Sequence, residues 1–298
     1  MAHTFRVVSF GYVNPGEVFL VPAYPPANSG AYVSAKRPFI GADCAMVAQL
    51  LAHWGLEVHL IGNALGDDPL GHRTLELLRQ SGVQPHLPLR AELRTPFEVD
   101  IADHAGTRTF FVEDNRPVWQ SLQDADLSAI DGADMVYVDW YVGEAALRAA
   151  RYAHARGVPV FLNVEVSLQQ PMQHQALIAL AAYAQCPMSD VHVHPENPFA
   201  IAEQLIRMGP RVVFVTRGRF GALARSQDTL LECPAPEVKV VDTQGAGAVF
   251  SAAAMFGLLH GWALDTVLRC ATHTASRKCA QASLLVEAPN PVMAEPCA

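Results

Sequence analysis

Short apolar runs alternate with amphipathic stretches along most of the chain. Residues 5–10 form an apolar run closed by Gly11, and 57–61, 135–139, 158–164, 191–194 and 212–216 repeat that form. Each predicts a short buried strand. Segments 41–55, 143–156, 168–185 and 197–208 carry apolar residues at helical spacing, and the first closes on Gly55. A further helix runs through Leu75, Leu77 and Leu78 to Ser81-Gly82. From Ala133 onward strand and helix alternate, which predicts a parallel sheet covered on both faces. Two stretches break this rhythm. Residues 16–40 alternate loosely and carry Pro22, Pro25 and Pro26, as short edge strands do. Residues 95–112 read as a hairpin turning near Ala105-Gly106. Near the C-terminus, 221–240 contains two short antiparallel strands, and Val238, Val240 and Val241 read as a further strand. Gly245, Ala246 and Gly247 then make a tight turn into the small, apolar, buried helix 248–259. A last helix spans 263–283, ahead of a proline-containing tail.

Composition narrows the class. The chain has 298 residues, 51% hydrophobic and 17% charged, enough to bury a sizeable core. A net charge of −8 disfavours nucleic acid and anionic membrane surfaces as partners. No apolar run approaches a membrane span, and the start enters a strand with no signal-peptide layout. The six cysteines are scattered without a C-x-x-C pair, the pattern of reduced thiols in a cytoplasmic protein.

The chemistry centres on Asp242-Thr243-Gln244-Gly245-Ala246-Gly247-Ala248. A glycine turn at a helix start aims backbone N–H groups and the positive end of the dipole at one point. That suits a phosphate or a transferring phosphoryl group. The stretch resembles the Asp-Thr-x-Gly-Ala-Gly-Asp signature of the ribokinase-like (PfkB) carbohydrate kinases. Gly66-Asp67-Asp68-Pro69-Leu70-Gly71 resembles that family's early Gly-Asp-Asp-Pro-x-Gly step. The resemblance covers roughly the whole chain. It implies one ribokinase-like domain over 1–298: a three-layer α/β/α core with a mostly parallel sheet, plus a small β lid from about 16–40 and 95–112. It also implies ATP and Mg2+ as cofactors if the protein is active, a sugar or nucleoside as substrate, and a homodimer formed through the lid.

Family roles carry over residue by residue. Gly245, Ala246 and Gly247 stand at the anion hole, and Ala248 stands where the family has its general-base Asp. A methyl group accepts no proton. Thr216, Arg217, Gly218 and Gly221 match the Val-Thr-x-Gly-x-x-Gly step along the nucleotide phosphates; alone they read as an ordinary strand-end turn with solvated arginines. On the sugar side, Gly16 replaces an Asp, Gly41-Ala42 replaces a Gly-Gly pair, and Met46 replaces an Asn. Glu17 or Asp43 is a substitute hydroxyl acceptor, or both are exposed loop acids. The family's magnesium-organising Asn-x-x-Glu falls on Pro195 and Pro198, so no metal ligand is assigned. His192 and His194 share a strand face without further ligands. Another base would have to serve any activity, with Asp139, Asp43 and Glu17 as candidates. These substitutions leave three readings: a sugar kinase homologue with little or no activity, a non-catalytic binding protein, or a structural subunit.

Overall fold

The computed structural model describes residues 4–103, 108–164, 171–188 and 197–291. The first half runs β1 (Arg6–Gly11), β2 (Asn14–Val21), β3 (Ala35–Gly41), α1 (Asp43–His53), β4 (Glu57–Gly62), the short β5 (Leu65–Gly66) and α2 (Pro69–Gln80). It continues with β6 (Val83–His86), the short β7 (Leu89–Arg90), β8 (Glu98–Asp103), β9 (Arg108–Val112) and α3 (Arg116–Gln120). The second half is β10 (Met135–Asp139), α4 (Glu144–His154), β11 (Val160–Asn163), α5 (Pro171–Ile178), β12 (Tyr183–Pro187), α6 (Pro198–Arg207), β13 (Val212–Thr216), β14 (Ala222–Ser226), β15 (Leu230–Cys233), α7 (Ala246–Leu259) and α8 (Leu264–Cys279).

Among the described residues a nine-stranded sheet has the order β15-β14-β13-β12-β11-β10-β1-β4-β6. It is parallel from β6 to β13, and the last two strands turn back antiparallel. Successive residues of a strand serve opposite faces. Val7, Tyr137, Phe161 and Phe214 pack with α1, α7 and α8 on one side. Val8, Val136, Val138, Leu162 and Val213 pack with α4, α5 and α6 on the other. These two apolar layers make a three-layer α/β/α core, as expected of a ribokinase-like fold. No described helix is long and apolar enough to cross a membrane, and no disulfide joins the described cysteines.

A second sheet, in the order β3-β2-β8-β9, stands apart from the first. Register assigns its faces. Val18 lies opposite Arg37 and Asp100, while Glu17 lies opposite Pro38 and Val99. Arg37 reaches Asp242 of the α/β core, so the face of Val18, Arg37 and Asp100 looks inward and that of Glu17 looks outward.

Three expected elements differ. The apolar run Val238, Val240, Val241 forms no strand; these side chains are exposed on an irregular segment. The expected helix 168–185 stops at Ile178, and Tyr183–Pro187 is instead a strand between β11 and β13. A strand buried on both faces has no alternation to mark it, and its alanines read as helix formers. The strand expected at 191–194, the turn at Ala105-Gly106 and most of the C-terminal tail lie outside the described residues.

Candidate active site

The Gly245–Gly247 turn joins an irregular segment to the start of α7. Gly245 adopts φ +76°, a left-handed conformation that glycine tolerates without strain, and caps α7. The Ala246 N–H is taken by the Thr243 carbonyl, 3.2 Å away. The next N–H groups of the first turn have no i−4 carbonyl within the helix, so they and the dipole form a site for negative charge. Gln185 on β12 steadies the turn by donating to the Gly247 carbonyl at 3.4 Å, and accepts from the Ser251 hydroxyl on α7. Ala248 is fully buried in the first turn.

Ala246, Gly247 and Thr243 border a cavity of about 840 Å³ that extends to Thr216, Gly218 and Gly221. Its far wall is apolar: Phe220, Val238, Val240, Phe250 and Ala275. Val238 and Val240, exposed and in no strand, therefore have a place beside the turn. Arg219 also lines this cavity, whereas the Arg217 guanidinium turns to Glu232 at 3.1 Å and to the Phe220 carbonyl. Its charge is engaged at the β14–β15 hairpin, away from the turn.

On the other side, the inward face of the small sheet carries acceptors. Asn14 is fully buried and donates to Glu98 at 2.6 Å. Asn163, at the end of β11, donates to Asp43 at 3.0 Å. Because each amide nitrogen is fixed on a carboxylate, the unpartnered atom of each is its Oδ1. Asp100 also has a buried, unpartnered Oδ1; its Oδ2 accepts from Gln244 at 2.6 Å and pairs with Arg108 at 3.3 Å. Burial, and next the neighbouring Glu98, push the Asp100 carboxyl up to about 7 despite the Arg108 charge. Burial likewise raises Asp43, with Glu98 adding to it and Arg108 opposing it.

The remaining expected positions are placed as follows. Asp43 opens α1 and is half-buried; Gly41 and Ala42 precede it, and a Cβ on Gly41 would lie 3.0 Å from the Phe39 ring and 3.4 Å from Asn14 Oδ1. Gly16 is closed off, since a Cβ there would lie 2.6 Å from both the Phe39 ring and the Glu98 carbonyl. Met46 is buried with its sulfur against Gly245. Glu17 lies on the outward face, which removes it as a substrate acceptor or base. Asp139 is buried with both oxygens engaged: Tyr137 donates to Oδ1 at 2.9 Å, while the Cys44 N–H at 3.0 Å and Tyr141 at 3.1 Å donate to Oδ2. Burial, then the charge of Asp43, push it up to about 8, against the three donors that favour its charged form.

Pro198 is the first residue of α6, and Asn197 spends its side-chain oxygen capping Phe199 N. Pro195, His192 and His194 lie outside the described residues. Among the described residues no group of three or more His, Cys, Asp or Glu side chains is gathered for a metal ion.

Sequence reasoning missed Asn14, Glu98, Asp100, Arg108, Asn163, Gln185, Gln244 and Lys278. One signal was available for Lys278: it continues the buried stripe of Val267, Ala271 and Thr274 at helical spacing. Glu98 and Asp100 alternate along one strand and so share a face, but which face is a tertiary fact.

The profile of the pfkB family carbohydrate kinases matches residues 41–290. Ribokinase of Bacillus subtilis is 27% identical over 242 residues, covering 79% of this chain and 78% of that protein. A crystal structure from Agrobacterium tumefaciens superposes with a TM-score of 0.85 at 21% identity, covering 97% and 96% of the two chains. Ribokinase of Thermotoga maritima gives 0.76 at 18% identity, covering 94% of each. The structural likenesses establish the fold. Since the matched profile spans most of its length, the chain belongs to the pfkB family of carbohydrate kinases.

Proposed function

We propose that this member of the family binds a nucleotide in the cavity beside the Gly245–Gly247 turn and a hydroxylated small molecule beneath the small sheet, with little or no phosphoryl transfer. The observation that carries this reading is Ala248. It is buried in the first turn of α7, where the family's base would stand, and it cannot accept a proton. The surroundings are altered as well. The Phe39 ring fills the space before Gly16, and Met46 packs on Gly245. Both changes put apolar surface where the family has polar sugar-binding groups.

The binding half of the reading rests on complementarity. The turn and the dipole of α7 fit a phosphate, and the apolar wall of Phe220, Val238 and Val240 fits a nucleobase. ATP is the nucleotide that the family implies. Asn14 Oδ1, Asn163 Oδ1 and Asp100 Oδ1 are buried acceptors without donors, as suits a sugar or nucleoside that brings hydroxyl groups. Among the described residues none fits Mg2+ at the family's Asn-x-x-Glu position, so no step is assigned to a metal.

One observation favours residual transfer. Asp100 has an unpartnered oxygen, is pushed up to about 7, and is hydrogen-bonded to Gln244, the residue preceding the turn. Those are the attributes of a base that could stand in for the missing one. Calorimetric binding of ATP, with ADP release followed across a panel of sugars and nucleosides, tests both halves. The reading expects binding with turnover about a hundredfold to ten-thousandfold below an ordinary enzyme rate, the loss that follows removal of a general base. Ordinary turnover abolished by Asp100→Asn would establish the stand-in base instead.

A further inference from the structure

Lys278 is the fully buried lysine near the end of α8, with 1% of its side chain exposed. Its ammonium lies among three oxygens: the Asp242 carbonyl at 3.1 Å, Asp242 Oδ2 at 3.3 Å and the Gln281 carbonyl at 3.4 Å. A buried ammonium is costly unless paired and hydrogen-bonded, and here it is both. The carboxylate it meets is also buried and takes a second cation, Arg37 of β3, at 3.2 Å. Arg37 donates in addition to the Ala282 carbonyl just past α8. The other oxygen of Asp242 accepts from the Gln244 N–H at 2.9 Å, and the Gln244 side chain reaches Asp100 on β8.

The segment so held has no strand partners of its own. Residues 234–240 are irregular, and the backbone entering the turn is tied down at the end of α8, where Val241 N donates to the Cys279 carbonyl at 2.7 Å. We propose that Lys278 is a positioning residue, a fixed internal cation that sets the Gly245–Gly247 turn through Asp242. Arg37 on the same carboxylate couples the small sheet to that turn. A shift of β3 or β8 is thereby transmitted to Asp242 and Gln244, two short steps from the phosphate site. The proposal rests on the reading of the turn as an anion site for its consequence, but not for the coupling itself.

The test uses the full chain and Lys278→Ala, with two readouts. Hydrogen exchange in the ligand-free protein reports on the peptides covering 98–102 and 242–247. Calorimetry reports ADP affinity, with and without methylammonium chloride to refill the vacated oxygen cage. Loss of a charged hydrogen-bonding group predicts exchange at 242–247 faster by about tenfold or more, ADP bound weaker by a similar factor, and partial restoration of both by methylammonium. A variant with a lowered melting temperature but unchanged exchange at 242–247 and unchanged ADP affinity would reduce Lys278 to a packing role and overturn the proposal. If Lys278→Ala does not fold, Arg37→Ala carries the test. Exchange must then rise together at 98–102 and 242–247, and a rise confined to one of them overturns the coupling. Wild-type protein that binds no ADP would defeat the nucleotide reading of the cavity, while the exchange measurements would still decide the role of Lys278.

Discussion

At the scale of single residues, the site is defined by what surrounds each carboxyl group. Asp139, Asp100 and Asp242 are all buried, yet only Asp100 keeps an unpartnered oxygen. Asp139 also makes a prediction about stability. Its carboxyl is raised to about 8 in the folded protein, so the folded state holds a proton that the unfolded chain releases near the ordinary carboxylate value of about 4. The stabilisation is complete below about pH 4 and is lost progressively as pH rises through about 8. The melting temperature of wild-type protein should therefore fall between about pH 5 and about pH 8, and Asp139→Asn should flatten part of that fall. Equal slopes in the two proteins would show that Asp139 is ionised in the fold. A second prediction concerns Gly16. Gly16→Asp should lower the melting temperature rather than rebuild a sugar-binding carboxylate, because its Cβ would lie 2.6 Å from the Phe39 ring. Pairing it with Phe39→Ala should relieve only part of the loss in differential scanning calorimetry, because the Glu98 carbonyl would lie equally close at 2.6 Å.

At the scale of elements, the turn into α7 carries the most information per residue. Gly245→Ala would place a methyl group at φ +76°, 2.8 Å from Leu284 and 3.1 Å from the Met46 sulfur. A loss of about 1–3 kcal/mol in chemical denaturation is expected from the backbone alone, with ADP affinity falling alongside. This turn was legible in the sequence because glycine, alanine and glycine ahead of a small-residue helix leave few other conformations. The parallel strands β1, β4, β10 and β13 were legible for a similar reason, as short apolar runs bounded by turns. Tyr183–Pro187 was not, since Ala181 to Ala184 carry no alternation and the strand is set by its neighbours β11 and β13. Val238, Val240 and Val241 misled in the opposite direction: Val238 and Val240 are apolar where they border a cavity beside the turn. Which carboxylates meet Gln244, and that Lys278 turns toward Asp242, depend on the approach of three distant segments, and no local pattern encodes that.

At the scale of the molecule, two sheets meet at one site, and the small sheet has a second face. Phe111 is 53% exposed there, on the side of Val99 and Ile101, and Tyr32 in the loop before β3 is 95% exposed. Apolar surface on a sheet of this kind favours pairing with a second copy of the chain. Light scattering should then report a dimer that Phe111→Glu weakens, and a strict monomer would remove that expectation without touching the fold. The central claim is that the inward side has been remodelled around a missing base, not merely deprived of it. Ala248→Asp tests this most directly, in single-turnover phosphorylation against the parent protein with ADP affinity measured in parallel. A carboxylate at the start of α7 is favoured by the helix dipole, but a base without a positioned hydroxyl gains little. The account predicts that transfer rises by less than about tenfold, far short of the hundredfold or more that a working base supplies, and that ADP binds no more tightly. Recovery of an ordinary kinase rate by this one substitution would contradict it, and would show that catalysis here needs neither a carboxylate at Gly16 nor an amide at Met46.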